Sequence, residues 1–187
     1  MLNFLKSFDL LANDELNLIN RYLKARTLQK GEYFIKEGRM CSEIAFVKSG
    51  ILRSFYTKDN GEEITYCITF ENNLTTAYSS YITGQKSPES IQALTRVELL
   101  VLKKEDVERM SENNLNWMKL LRHLAEQQYV EMERRIFSYQ KEKASERYIE
   151  LINEHPDYIR HIPLQYLASY LGITPRHLSR IRKELSL

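Results

Sequence analysis

The stretch Ile162–Leu185, IPLQYLASYLGITPRHLSRIRKEL, admits few folds. Leu164, Leu167, Ala168 and Leu171 recur at helical spacing and make one apolar stripe. Pro163 suits the first position of a helix, where a missing N–H costs nothing. Gly172 ends that helix, because glycine tolerates the left-handed conformation of a C-terminal cap. Thr174 followed by Pro175 reads as the cap and first residue of a second helix. Leu178, Ile181 and Leu185 form its inward stripe, while Arg176, Arg180 and Lys183 fall together on the opposite face. Ala168 is small enough for the two helices to cross closely, and Gly172-Ile173 makes a short turn that sets an apolar side chain between them.

This is the pattern of a helix-turn-helix whose second helix enters the major groove of DNA. The fork of an arginine can donate two hydrogen bonds to guanine O6 and N7. Lysine and the remaining arginines suit phosphates. Thr174, Arg176, His177, Ser179, Arg180 and Lys183 are the candidate DNA-contacting residues. The alternative is a plain helical hairpin with a solvated basic face. Alanine and glycine at these offsets, with the row of arginines, favour the DNA reading.

Charge distribution agrees. The chain carries a net charge of +2, yet from Ile159 onward there are five Lys/Arg against the single acid Glu184. A basic end on a nearly neutral protein is the electrostatic footprint of a nucleic-acid contact. At 187 residues with 43% hydrophobic content, the chain can build one sizeable domain or two small ones. No apolar run is long enough to span a bilayer. The start, MLNFLKSFDLLANDEL, lacks the features of a signal peptide, so a cytoplasmic location is expected. Only Cys41 and Cys67 are present, too few thiolates for an ordinary iron–sulfur or zinc site. No cofactor and no metal are expected.

Earlier in the chain, Phe8–Leu23 reads as a helix. From Thr27, stretches rich in β-branched and aromatic residues alternate with glycine-bearing turns. Tyr33–Lys36, Glu43–Lys48, Ile51–Thr57, Glu63–Phe70, Ser90–Thr95 and Glu98–Lys103 are the expected strands. Asn60-Gly61 predicts a type I′ hairpin, which needs positive φ at both positions. Several short strands at such spacing imply a sandwich or barrel. Lys104–Ser111 reads as a short helix. Asn114 to about Gln140 reads as one long helix without Gly or Pro. Such a helix cannot bury its whole length on a small barrel, so pairing with a second copy is the economical solution. Trp117, Leu121 and Leu124 are the candidate dimer contacts. Lys143–Glu154 is a further amphipathic helix, ended by His155-Pro156-Asp157.

This order of elements resembles the Crp/Fnr superfamily of bacterial transcription regulators, and within it the divergent regulators common in Bacteroidetes. Gly31, Gly38, Gly50 and Gly61 stand where such β-rolls turn. Ala144-Ser-Glu-Arg-Tyr148 looks like the lead into the family's DNA-binding domain. Ser169-Tyr-Leu-Gly-Ile-Thr174 with Leu178-Ser-Arg-Ile-Arg182 looks like its helix-turn-helix. The resemblance implies an α+β fold: an N-terminal antiparallel β-roll (a jelly roll) with flanking helices over residues 1–113, a long dimerisation helix over 114–140, and an all-α helix-turn-helix domain over 141–187. It further implies a homodimer that binds promoters with sequence specificity, so an imperfect palindrome in double-stranded DNA is the expected partner.

The departures from the family are as telling. Members that bind cyclic AMP hold the ribose with a glutamate and the phosphate with an arginine. By spacing from Gly84, those positions fall at Ala77 and Ser87 here. A cyclic phosphate without a facing cation loses its charge-assisted hydrogen bonds, and Lys86 reaches it only in a shifted geometry. Thr75, Thr76, Tyr78, Ser79, Lys86 and Ser87 are therefore the candidate pocket for a different, unspecified small-molecule effector, unless the hydroxyls simply satisfy one another and the backbone. All four histidines lie at position 123 or beyond, away from any haem site in the roll. The family's DNA-binding domain continues into a β-wing after its recognition helix, whereas this sequence ends at Leu187. An enzyme is not expected: there is no nucleophile–base constellation, P-loop or dinucleotide glycine pattern. The rival reading is a ligand-binding or interaction module whose helix-turn-helix no longer reads DNA.

Overall fold

The alternating stretches of the first half pair into two antiparallel sheets. The computed structural model describes residues 1–185, less the side chains at positions 157 and 158. Its strands are β1 (Lys24–Leu28), β2 (Tyr33–Ile35), β3 (Glu43–Ser49), β4 (Leu52–Thr57), β5 (Glu63–Thr69), β6 (Leu74–Thr75), β7 (Ser90–Ala93) and β8 (Val97–Lys103). One sheet has the order β1-β8-β3-β6 and the other β2-β7-β4-β5. Inward side chains of both sheets, including Ala45, Val47, Val97 and Leu99 from the first and Leu52, Ile91 and Ala93 from the second, fill the space between them. This is the antiparallel roll expected from the pattern, with β1 and β6 added to the expected strands.

Gly50 carries the chain from the first sheet to the second. Its φ is +93°, and a Cβ there would stand 2.3 Å from the carbonyl oxygen of Arg96. Only glycine fits this crossing. The β4–β5 hairpin forms as expected, but its turn is not type I′. Asn60 does not have positive φ; Gly61 does, at +83°. The Gly61 N–H donates to the Lys58 carbonyl at 2.9 Å, and the Asn60 carboxamide accepts from the Glu62 N–H at 3.0 Å. A longer loop with one left-handed residue, plus asparagine's ability to hydrogen-bond the backbone two residues on, replaces the two-residue turn.

The helices are α1 (Leu2–Lys6), α2 (Asn13–Tyr22), α3 (Tyr78–Thr83), α4 (Lys104–Ser111), α5 (Leu115–Lys141), α6 (Ala144–Glu154), α7 (Pro156–Ile159), α8 (Leu164–Tyr170) and α9 (Pro175–Glu184). The expected helix from Phe8 starts only at Asn13, because Asp9 breaks it with φ +52°. Asn114 caps α5, accepting from the N–H groups of Asn116 and Trp117 at 3.0 and 3.2 Å. Glu15 ties α2 to this cap: it accepts from the carboxamides of Asn114 (2.6 Å) and Asn116 (3.1 Å). Leu5, Leu16, Ile19, Leu102, Val107, Met110, Trp117 and Leu120 close a helical core at this end of the roll.

The helices after Lys141 also share a core with the roll. Ile51, Ile68, Phe70 and Leu94 of the roll pack with Tyr148, Leu151, Ile159, Ile162, Leu167, Leu171, Leu178 and Ile181. The α8 helix lies against β5.

Candidate functional site

Helices α8 and α9 are joined by Leu171–Thr174. Gly172 takes φ +71°, its N–H donates to the Ser169 carbonyl at 3.0 Å, and the Ile173 N–H donates to the Ala168 carbonyl at 3.0 Å. The Thr174 hydroxyl then accepts from the His177 N–H at 3.2 Å and starts α9 with Pro175 in its first turn. Leu178 and Ile181 are buried against Leu167, Ala168 and Leu171. The other face is open: Thr174, Arg176, Ser179, Arg180 and Lys183 are exposed, and His177 is half-buried. Among the described residues Arg180 pairs with Glu184, at 3.7 Å between exposed side chains, a pairing worth about 0–1 kcal/mol. Arg182 turns inward, donating to the Tyr148 hydroxyl at 2.9 Å. The structure thus brings Arg176, Ser179, Arg180 and Lys183 to one solvent-facing surface.

Three arginines that the sequence reading passed over support this pair of helices. Arg147 donates to the carbonyls of Glu142 (2.6 Å) and Leu171 (2.9 Å), tying the end of α5 to the turn. Arg135 stacks over the Tyr170 ring at 4.2 Å and donates to the Tyr170 carbonyl at 3.4 Å, which also accepts from the Tyr139 hydroxyl. Arg53, on β4, is only 1% exposed. Its guanidinium lies between the rings of Phe55 (3.9 Å) and Tyr166 (3.6 Å), and it donates to Glu63 at 2.5 Å and Gln92 at 2.7 Å. Beside it the Thr65 N–H donates to the Ser169 hydroxyl at 2.9 Å. An arginine in an alternating strand looks solvent-facing in sequence; only the docking of α8 shows that it is covered.

The roll's candidate pocket residues do not converge on an open cavity. Thr76 donates to the Glu43 carbonyl at 2.8 Å. Ser80 donates to the Gln85 carbonyl at 2.5 Å and accepts from the Cys41 N–H at 2.9 Å. Ser87, 2% exposed, donates to the Glu89 carbonyl at 2.7 Å and accepts its N–H at 3.2 Å. Thr75 is buried in β6, whereas Tyr78, Ser79 and Lys86 point to solvent. Two residues beyond Ser87 stands a buried carboxylic acid. Glu89 is 7% exposed, burial pushes its pKa up, and it accepts from the Tyr66 hydroxyl and from Ser54. Burial and that carboxylate push the Tyr66 phenol up as well. Neither Ala77 nor Ser87 offers a cation to a phosphate placed there.

On α5 the three expected dimer contacts lie along one stripe that faces the chain's own helical core. Trp117 is 3% exposed and sits in the chain's own helical core, with Leu121 and Leu124 packed against the same core. The reason is that α1 and α2, distant in sequence, cover this stripe. The stripe left open holds Met118, Ala125, Tyr129, Met132 and Ile136, spaced three and four residues apart beyond one seven-residue step; Tyr129 is 69%, Met132 57% and Ile136 53% exposed. That spacing is the three- and four-residue alternation of a heptad pattern. Among the described residues, no three His, Cys, Asp or Glu could hold a metal ion, and no helix is long and apolar enough to cross a membrane.

Residues 25–114 match the sequence profile of the family described as "Cyclic nucleotide-binding domain". The match covers most of the roll, which is similar to that family. The whole chain has the fold of Crp/Fnr transcription regulators. It superposes on FixK2 from Bradyrhizobium japonicum with a TM-score of 0.75 at 15% identity, over 88% of this chain and 84% of that one. A protein from Eubacterium rectale, described as a transcriptional regulator of the Crp/Fnr family, gives 0.73 at 19% identity, over 98% and 88%. The c-di-GMP-responsive global regulator CLP from Xanthomonas campestris gives 0.71 at 12% identity, over 94% and 92%. No curated protein matches the chain in sequence.

Proposed function

We propose that this chain is a dimeric, sequence-specific DNA-binding transcription regulator whose α9 reads the major groove. The observation that carries the reading is the division of α9 into two faces. Leu178 and Ile181 are buried, while Arg176, Arg180 and Lys183 stand together in solvent with, among the described residues, one weak partner. A helix kept only for packing has no use for three aligned cations. The regulators that share the fold support the same role. Arg176 and Arg180 suit base edges, Lys183 suits phosphate, and the first-turn N–H groups of α9 favour a phosphate at its start.

The dimer forms through the open stripe of α5, Met118 to Ile136, and the operator is an imperfect palindrome with half-sites about one helical turn apart. The roll does not hold cyclic AMP tightly, because Ala77 and Ser87 supply neither acceptor nor cation. An effector of other chemistry, or none, acts there. Selection of bound genomic fragments tests DNA reading: a recurring palindromic sequence is the expected result, and random enrichment removes the proposal. Sedimentation of the full chain at micromolar concentration tests the dimer. Ile136→Asp should yield monomers, and an Ile136→Asp protein that sediments as the same dimer excludes this seam.

A further inference from the structure

Strands β4 and β5 slip register at one point. Ser54 pairs with Cys67 and Phe55 with Thr65, so Tyr66 is an extra residue without a cross-strand partner. Such a bulge bends its strand and re-aims the side chains around it. Here it has two attachments on opposite sides of the sheet. On the side of Leu52 and Ile91, the buried Ser54 and Tyr66, itself 39% exposed, both hydrogen-bond the buried Glu89. Toward α8, the residues next to them do the holding: Arg53 lies under Tyr166, and the Thr65 N–H donates to Ser169. One covalent step on each strand separates the inner cluster from the outer one.

We propose that this bulge couples the roll interior directly to α8, and through it to the exposed face of α9, without passing along α5. Four observations support the route. The outer contacts are short: 3.6 Å from Arg53 to the ring of Tyr166 and 2.9 Å from Thr65 to Ser169. Arg53 is held almost dry by Glu63, Gln92 and two rings, so it follows the strand rather than swinging free. One guanidinium nitrogen of Arg53 and the Thr65 hydroxyl are buried without a protein partner, so this interface is not locked by a full set of bonds. The second half of α5 is largely in solvent and meets α8 at Tyr170 through Arg135 and Tyr139, away from the Arg53 and Thr65 contacts. The docked arrangement leaves Arg176, Arg180 and Lys183 open, so it is the DNA-competent one, and loosening it lowers affinity by reducing the population ready to bind.

The DNA arm of the test rests on the reading of α9 given above; amide exchange tests the relay without DNA. Full-length chains carrying Tyr66→Phe, Ser169→Ala and both are compared. The expected result is faster hydrogen exchange in residues 62–69 and 164–171, by about fivefold or more, with residues 117–124 unchanged, as for a local opening. On a selected DNA site the dissociation constant should rise about three- to tenfold for each single variant, and the double variant should be no worse than the stronger single, because the two sites act through one contact. Glu89→Gln, which keeps the size of the side chain, should move both readouts in the same direction as Tyr66→Phe and serves if that variant does not fold. Unchanged exchange at 164–171 in Tyr66→Phe or, should that variant not fold, in Glu89→Gln, or single effects that multiply in the double variant, overturns the relay. A normal exchange response without any DNA binding by the parent chain would instead overturn the DNA reading and leave the relay standing.

Discussion

The outer face of α9 and the stretch Thr75–Glu89 of the roll are built from similar polar residues and use them in opposite ways. On α9 the polar atoms are held away from the protein: Ser179, Arg176 and Lys183 are exposed, and among the described residues Arg180 pairs with Glu184. In the roll the hydroxyls of Thr76, Ser80 and Ser87 are consumed by the carbonyls of Glu43, Gln85 and Glu89. The difference teaches that a row of hydroxyls in sequence is not a pocket. A polar surface is free for a partner only where the backbone nearby is already satisfied, as it is in a helix. An irregular segment has unpaired carbonyls and amides, and its own side chains reach them first.

The largest effect that would break this comparison is at α9. Replacing Arg176, Arg180 and Lys183 together by alanine should weaken binding to a selected site by more than about 100-fold, from base contacts of about 1–3 kcal/mol each plus a lost phosphate contact. Among the singles, Arg180→Ala should cost about 1–3 kcal/mol and relax preference at one base pair. Lys183→Ala should weaken all sequences alike and reduce the salt slope by about 0.9. Filter binding across a salt series separates the two.

In the roll, calorimetric titration with cyclic AMP should show no saturable binding in the low micromolar range, since neither Ala77 nor Ser87 gives its phosphate a cation. Tight binding would return Lys86 to consideration as its partner.

Stability sharpens the contrast from the other side. Thr76→Val should cost about 1 kcal/mol by leaving the Glu43 carbonyl with only the weak Cys41 thiol donor. Ser179→Ala, on the open face, should change stability by no more than about 0.5 kcal/mol. Urea unfolding of both measures this directly.

The smallest effect concerns the seam between roll and helices. His155 stacks on Phe70 at 3.8 Å, and burial lowers its pKa from 6.5 against the pull of Glu154. A lowered folded-state value means the unfolded chain takes up the proton first. The His155 contribution is therefore present above about pH 6.5 and is lost as pH falls through the folded value. The melting temperature should decline as pH falls below about 6.5, less so in His155→Gln.

Much of the fold is legible in local sequence. The cap at Asn114, the stop at Gly172 and the start at Thr174-Pro175 act within a few residues, so helices α5, α8 and α9 begin and end where those signals stand. Period-two alternation likewise marks β4 and β5. The short β6 and α3 were missed, because two residues cannot show a period and a six-residue helix rich in serine and tyrosine carries little helical preference. The open face of α9 was legible too, since a single amphipathic helix tells its two sides apart.

What the sequence determined by itself, then, is each element whose signal is local: the glycine-turned strands, the long helix, and a short helix with apolar and basic faces. The tertiary structure alone decided between patterns that are locally equivalent. Helix α5 carries two apolar stripes, and α1 and α2 choose which one is buried, taking Trp117 inward and leaving Tyr129, Met132 and Ile136 in solvent. Arg53 becomes one of the most deeply buried side chains only because α8, more than a hundred residues later, brings Tyr166 over it. Burial and hydrogen-bond satisfaction belong to pairs of segments, and no spacing within one segment records which distant segment will arrive.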